Sequence, residues 1–320
     1  MVTARNYAGA TPPRPQRWLA FPYIARDVMT LAAGGAGILK GTSMASVIAD
    51  VTQGRDFFGG RVRNQVGAPA DVIAIVPEDR EDAMRFRLGA AGANLQRVWN
   101  LTYDGRTGDD GLPGKTRLDE RGLRSIRSLA TWINEPAEQG GLGSRLALIY
   151  IDPLMAVKPR GVSITQNDQA RDHIVDPLDG LAERFGCSLI LLQHTVKDGS
   201  IGGSQGLVDA ARLVLFMQRV KGSDGHARLS VFKSNIGPDA EHGAADLRYC
   251  QTGAESELTR RVQWMDDADT EPVTLAGAPQ GAPTPLYPYR QRRAAQAQPP
   301  RPAGLSAREL LMQQRRRTGA

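Results

Sequence analysis

Across residues 18–268 the chain alternates short, almost wholly apolar runs with longer stretches whose apolar positions recur at helical spacing. The runs Val28–Ala33, Val72–Val76, Arg97–Leu101, Leu146–Ile151 and Ser188–Leu192 predict strands covered on both faces, as in a parallel sheet flanked by helices. Helical spacing at about 41–52, 80–92, 119–136, 167–186 and 203–211 supplies the crossovers, so the units read as βαβ. Three later runs, Leu213–Gln218, Ala227–Lys233 and Ala245–Cys250, lie too close together for helical crossovers and are expected to pair antiparallel. The fold class that follows is α/β, with a mostly parallel sheet and antiparallel C-terminal strands.

The flanks differ in kind. Residues 1–17 lack periodicity and read as a flexible lead-in, and residues 269–304 form a Pro/Ala/Gln-rich linker that cannot bury enough apolar surface to order itself. Residues 305–320 hold a short basic helix, opened by a capping box of Ser306 and Glu309 and closed by Arg315, Arg316 and Arg317. The C-terminal tail is thus expected to be disordered apart from that helix.

Charge changes the picture only at this end. The 320 residues carry a formal +6, but 286–320 contribute +7 through eight arginines against Glu309, leaving the rest at −1. The basic balance belongs to the tail and does not mark the body as a nucleic-acid binder. Two cysteines, Cys187 and Cys250, argue against a disulfide framework, and no apolar run approaches a membrane span of ~18 residues. Without an apolar leader, a cytoplasmic protein is expected. Four dispersed histidines make a zinc site improbable.

Chemistry concentrates after the first strand. Gly34, Gly35, Ala36, Gly37, Ile38, Leu39, Lys40, Gly41, Thr42 and Ser43 lead into a helix. Small residues let successive backbone N–H groups close around phosphate oxygens, a lysine reaches the β/γ-phosphates, and a hydroxyl from Thr42 or Ser43 suits Mg²⁺. Two positions depart from the usual phosphate-loop pattern: Leu39 replaces its last glycine and Gly41 its hydroxyl residue. A left-handed backbone at Leu39 would cost roughly 1–2 kcal/mol. The same residues also suit an ordinary Gly-rich turn.

Two strand ends add carboxylates. The strand at 146–151 closes in Asp152, placed to bind Mg²⁺, and the strand at 72–76 is followed by Glu78, a candidate general base for the attacking water. Each by itself also suits a solvent-facing acid at a strand or helix end.

In order, the phosphate loop, "VTQGRDFFGGRV", "PEDREDAMRFRL", "LIYIDPL", "LILLQHTVKDG", "GSQGLVDAARLVLFMQ" and "VFKSNIGP" resemble the RecA-type P-loop ATPase domain of plasmid RepA-like hexameric helicases and their phage relatives, over roughly residues 18–255. That resemblance implies a RecA-like P-loop NTPase core using ATP and Mg²⁺, with Glu78 catalytic, Asp152 on the metal, His194 sensing the γ-phosphate, and Lys233 acting on a neighbouring protomer. Asn235 stands where the family element carries arginine, which would weaken trans activation. The loops containing Lys158, Arg160 and Lys197 would face a central channel and touch nucleic-acid backbone. The partners implied are DNA, single-stranded for preference, and further copies of the chain in a ring such as a hexamer. The tail is a candidate contact for DNA or a replication partner. Two other readings stay open: a DNA-associated scaffold with a decayed loop, and a nucleotide kinase suggested by the Lys-Gly-Thr order.

Overall fold

The computed structural model describes residues 15–35, 37–77, 81–101, 116–195, 205–220, 225–239, 246–252 and 261–265. The expectations for the linker and the basic terminal helix lie outside these residues, as do most of the lead-in and the glycine-rich stretch 104–115.

Eleven strands appear among the described residues: β1 (Trp18–Ala20), β2 (Ile24–Ala25), β3 (Met29–Gly34), β4 (Asp71–Ile75), β5 (Val98–Trp99), β6 (Leu146–Ile151), β7 (Ser188–His194), β8 (Leu213–Arg219), β9 (His226–Ser234), β10 (Leu247–Thr252) and β11 (Arg261–Met265). β1 and β2 form a small antiparallel ribbon. The other nine make one sheet in the order β11-β10-β9-β8-β3-β7-β6-β4-β5. Its strands from β8 to β5 run parallel, while β9, β10 and β11 extend the far edge antiparallel. The architecture is the α/β one that the apolar runs imply.

Every residue of β3, β4 and β6 is buried, because helices cover both faces. On one face lies α1 (Lys40–Gln53), which packs Met44, Ala45, Val47 and Ile48 against Ala32, Val72, Leu148 and Leu192. A short irregular turn, α2 (Phe57–Gly60), and then α3 (Glu81–Ala90) join that layer through Phe57, Phe58, Met84 and Leu88. The opposite face is covered by α4 (Glu120–Asn134), whose Ile126, Ala130 and Ile133 form one buried stripe. Asp119 caps α4 by accepting from the Gly122 amide. After β6 come α5 (Leu154–Val157), α6 (Asn167–Ala170), a π-helical turn at Arg171–Val175, and α7 (Asp176–Phe185), with Leu178 and Leu181 in the same core. A last short helix, α8 (Gln205–Ala210), leads into β8.

The sequence reading differs from the structure at the margins. Residues 97–101 contribute only two strand residues, where Arg97 and Trp99 both donate to the buried carboxylate of Asp71. β1, β2 and β11 were not anticipated from pattern: the first two are too short to alternate, and β11 is held by its Trp264 rather than by a run of apolar positions. Among the described residues no helix is long and apolar enough to cross a membrane.

Candidate functional site

The phosphate loop lies between the C-terminal end of β3 and the start of α1, beside the ends of β6 and β7. This edge of an open α/β sheet is where such folds bind ligands. Gly34 closes β3 so tightly that an added Cβ would stand 2.6 Å from the Met217 carbonyl oxygen. Gly37 and Leu39 both adopt left-handed backbone, at φ 70° and φ 62°. The condition raised from sequence at Leu39 is therefore met, at the cost of roughly 1–2 kcal/mol that a side chain incurs there.

Two side chains from outside the loop hold its backbone, and a third braces the helix that follows. Tyr249, on β10 and fully buried, donates to the Ile38 carbonyl at 3.0 Å. Arg219, at the exposed end of β8, donates to the Gly37 carbonyl at 2.9 Å. Further along α1, Trp264 of β11 donates to Ser46 Oγ at 3.0 Å. Each such bond is worth about 0.5–1.5 kcal/mol net, so the first two together match the strain at Leu39.

Lys40 is 5% exposed, and its ammonium donates to the Gly35 carbonyl at 2.5 Å. Burial pulls its pKa from 10.5 down to about 8, with the negative charge of Asp152 opposing the shift. Thr42 is half-buried in the first turn of α1. Ser43 is fully buried, and its hydroxyl donates to the Lys40 carbonyl at 2.8 Å and meets Met217 Sδ at 3.7 Å. Of the two hydroxyls offered for Mg²⁺, Ser43 is thus engaged in the core. Asp152 stands directly after β6, nine-tenths buried, and its Oδ2 accepts from the Tyr150 phenol at 2.6 Å.

These groups meet in a cleft of about 210 Å³ lined by Gly37, Lys40, Gly41, Arg87, Asp152 and His194, with Val76, Pro153 and Leu192 as its apolar wall. His194 is exposed at the end of β7, on the same strand face as Leu192. Arg87 reaches in from α3: a Cβ on Gly41 would stand 3.0 Å from its Nη1 and 3.6 Å from Asp152 Oδ2. Two cations, one carboxylate and a bare glycine between them suit a polyphosphate carrying a divalent cation. The residues present therefore fit Mg²⁺ with a nucleoside triphosphate. Among the described residues no group of three or more His, Cys, Asp or Glu could hold a metal by itself, so Mg²⁺ would share its oxygens with phosphate and water.

The remaining sequence candidates fall in several places. Ala36, Glu78 and Lys197 lie outside the described residues. Lys158 donates to the Val162 carbonyl at 2.6 Å, bracing its own turn, while Arg160 beside it is exposed. Lys233 donates to the carbonyls of Val208, Asp209 and Ala211, each at 2.9 Å, closing the C-terminal end of α8 of its own chain. The backbone N–H of Asn235 donates to the Arg212 carbonyl. Arg87, Tyr150, Arg219 and Tyr249 carried no assigned role in the sequence reading. Arg87 sits three residues after Met84 on a helix whose apolar face is read easily, but nothing in that pattern singles out one arginine from Arg85.

Residues 2–200 match the family model described as AAA domain, which is more than half of the chain. No curated protein matches.

Proposed function

The chain belongs to the AAA domain family of P-loop ATPases, and from that premise we propose that it binds and hydrolyses ATP at the cleft around Lys40, as a helicase-type oligomeric motor on DNA. The observation that carries the nucleotide reading is the convergence of Lys40, Arg87, Asp152 and His194 on Gly37 and Gly41. The backbone amides of 37–42 would cradle the phosphates, and Lys40 and Arg87 would neutralise their charge. Thr42 and Asp152 would hold Mg²⁺, which supplies electrostatic relief on the transferred phosphoryl group. Glu78, in the segment after β4, would orient the attacking water.

The DNA and ring readings rest on the resemblance of the later motifs and on Arg160, exposed in the loop beyond Asp152. Contact with phosphates through such residues would make affinity fall with salt. Lys233 would need to leave its three carbonyls to reach a neighbour, so stimulation in trans would be weak. That observation favours a second reading, a nucleotide-binding scaffold on DNA with slow turnover.

Phosphate release measured with and without single-stranded DNA separates the two. The motor reading expects turnover that rises several-fold with DNA and is abolished by Lys40→Ala. Turnover indifferent to DNA would leave the scaffold, and turnover unchanged in Lys40→Ala would remove the site.

A further inference from the structure

The family match ends at residue 200, yet the phosphate loop is held by strands beyond it. The orientation of a peptide plane fixes ψ of the residue before it and φ of the residue after it. The carbonyl of Ile38 belongs to the plane joining Ile38 to Leu39, and the carbonyl of Gly37 to the plane joining Gly37 to Ile38. Tyr249 holds the first at 3.0 Å and Arg219 the second at 2.9 Å.

We propose that Tyr249 is a positioning residue that locks the phosphate loop in the left-handed turn which a glycine would adopt unaided and Leu39 does not, while Arg219 steadies only the peptide plane before Ile38. The antiparallel edge of the sheet thereby substitutes for the missing glycine. Rotation of the Ile38–Leu39 plane would return Leu39 to negative φ and turn the following amides away from the cleft. The Tyr249 phenol, fully buried and donating to the Ile38 carbonyl, opposes that rotation. A covalently remote strand thus sets the affinity of the loop for phosphate. This inference rests on the nucleotide reading given above, but the lock itself is a property of the loop backbone.

The test compares the full chain with Tyr249→Phe, Leu39→Gly and the double variant. Mg·ADP affinity is read by calorimetry, and amide hydrogen exchange is read on the peptide spanning 37–43. In the Leu39 background, Tyr249→Phe should weaken Mg·ADP about tenfold, the size of one buried hydrogen bond, and speed loop exchange. In the Leu39→Gly background the same change should cost less than about threefold and leave exchange unaltered, because glycine holds left-handed backbone without help. Equal losses in both backgrounds, or none in either, would overturn the lock. Arg219→Gln, which loosens only the plane before Ile38, serves as the control: its cost should be the same with and without Leu39→Gly, and a cost that vanishes on Leu39→Gly would refute the proposal. Should Tyr249→Phe unfold, the double variant decides: it should fold and bind Mg·ADP, and unfolding in both backgrounds would overturn the lock. Failure of the unaltered chain to bind Mg·ADP would sink the nucleotide reading, and loop exchange would then decide the lock by itself.

Discussion

Lys40 makes the most quantitative prediction. Its ammonium is 5% exposed and its pKa is drawn from 10.5 down to about 8 by burial, so the free chain begins to lose this charge as pH rises past 8. A polyphosphate beside the ammonium stabilises the charged form and returns its pKa toward the ordinary value. The sign follows from linkage. Below pH 8 both free and bound chains carry the proton, and affinity is flat. Above pH 8 binding must take up a proton, so affinity falls by up to about tenfold per pH unit until the pKa of the bound form is reached. Calorimetry of Mg·ADP between pH 7.5 and 10, in two buffers of different ionisation enthalpy, reads both the slope and the proton uptake. Lys40→Met should bind weakly and lose the slope. A flat profile in the unaltered chain, or the same slope in Lys40→Met, would refute the assignment.

Other perturbations give distinct readouts. Tyr150→Phe removes the donor on Asp152 Oδ2 and should raise the Mg²⁺ concentration needed for nucleotide binding about tenfold while changing Mg²⁺-free ADP binding little; equal effects on both would contradict it. Arg87→Gln should weaken ATP more than ADP, since the ligand with the additional negative charge depends more on the second cation, and an equal loss for both would show that Arg87 is not directed at the terminal phosphate. Gly34→Ala places a Cβ 2.6 Å from the Met217 carbonyl oxygen and should destabilise the chain by about 1–3 kcal/mol in denaturant unfolding; an unchanged midpoint would contradict the packing of β3 on β8. Asp50, buried near the end of α1, is pushed from 3.8 up to about 7 by desolvation, which its Arg55 partner only partly offsets. The folded chain then binds the extra proton between those values, so stability falls as pH rises through that window. Asp50→Asn should flatten this fall and raise Tm by a few degrees at pH 8 but little at pH 4, and a lower Tm at pH 8 would contradict the burial penalty.

Much of the fold was legible because burial on both faces leaves a simple mark. β3, β4, β6 and β7 are apolar runs, and their helices carry apolar stripes at the expected spacing. The antiparallel edge was visible through its short connections. β11 was not, since Arg261, Gln263 and a single buried Trp264 do not alternate strongly. At the candidate site, Lys40 and Asp152, which line the cleft, were readable from type and spacing, because a loop cation and a strand-end carboxylate each leave a local pattern. Arg87 and Tyr249 were not, because they reach the loop across the fold from other elements: Tyr249 is 211 positions from the carbonyl it holds. Ser43 was offered as an alternative to Thr42, and only the turn of α1 shows that its hydroxyl faces the core. Lys233 illustrates the converse: the family resemblance implied a reach to a neighbour, whereas its ammonium caps α8 within the same chain.

The account stands or falls on whether the turn after β3 takes a nucleotide. A crystal structure of the full chain at millimolar Mg·ADP tests this most directly. The account predicts β-phosphate oxygens among the amides of residues 37–42, with Lys40 swung from the Gly35 carbonyl onto them and Mg²⁺ beside Thr42 and Asp152. Nucleotide bound elsewhere, or Lys40 still on Gly35 with no phosphate in the turn, would contradict it.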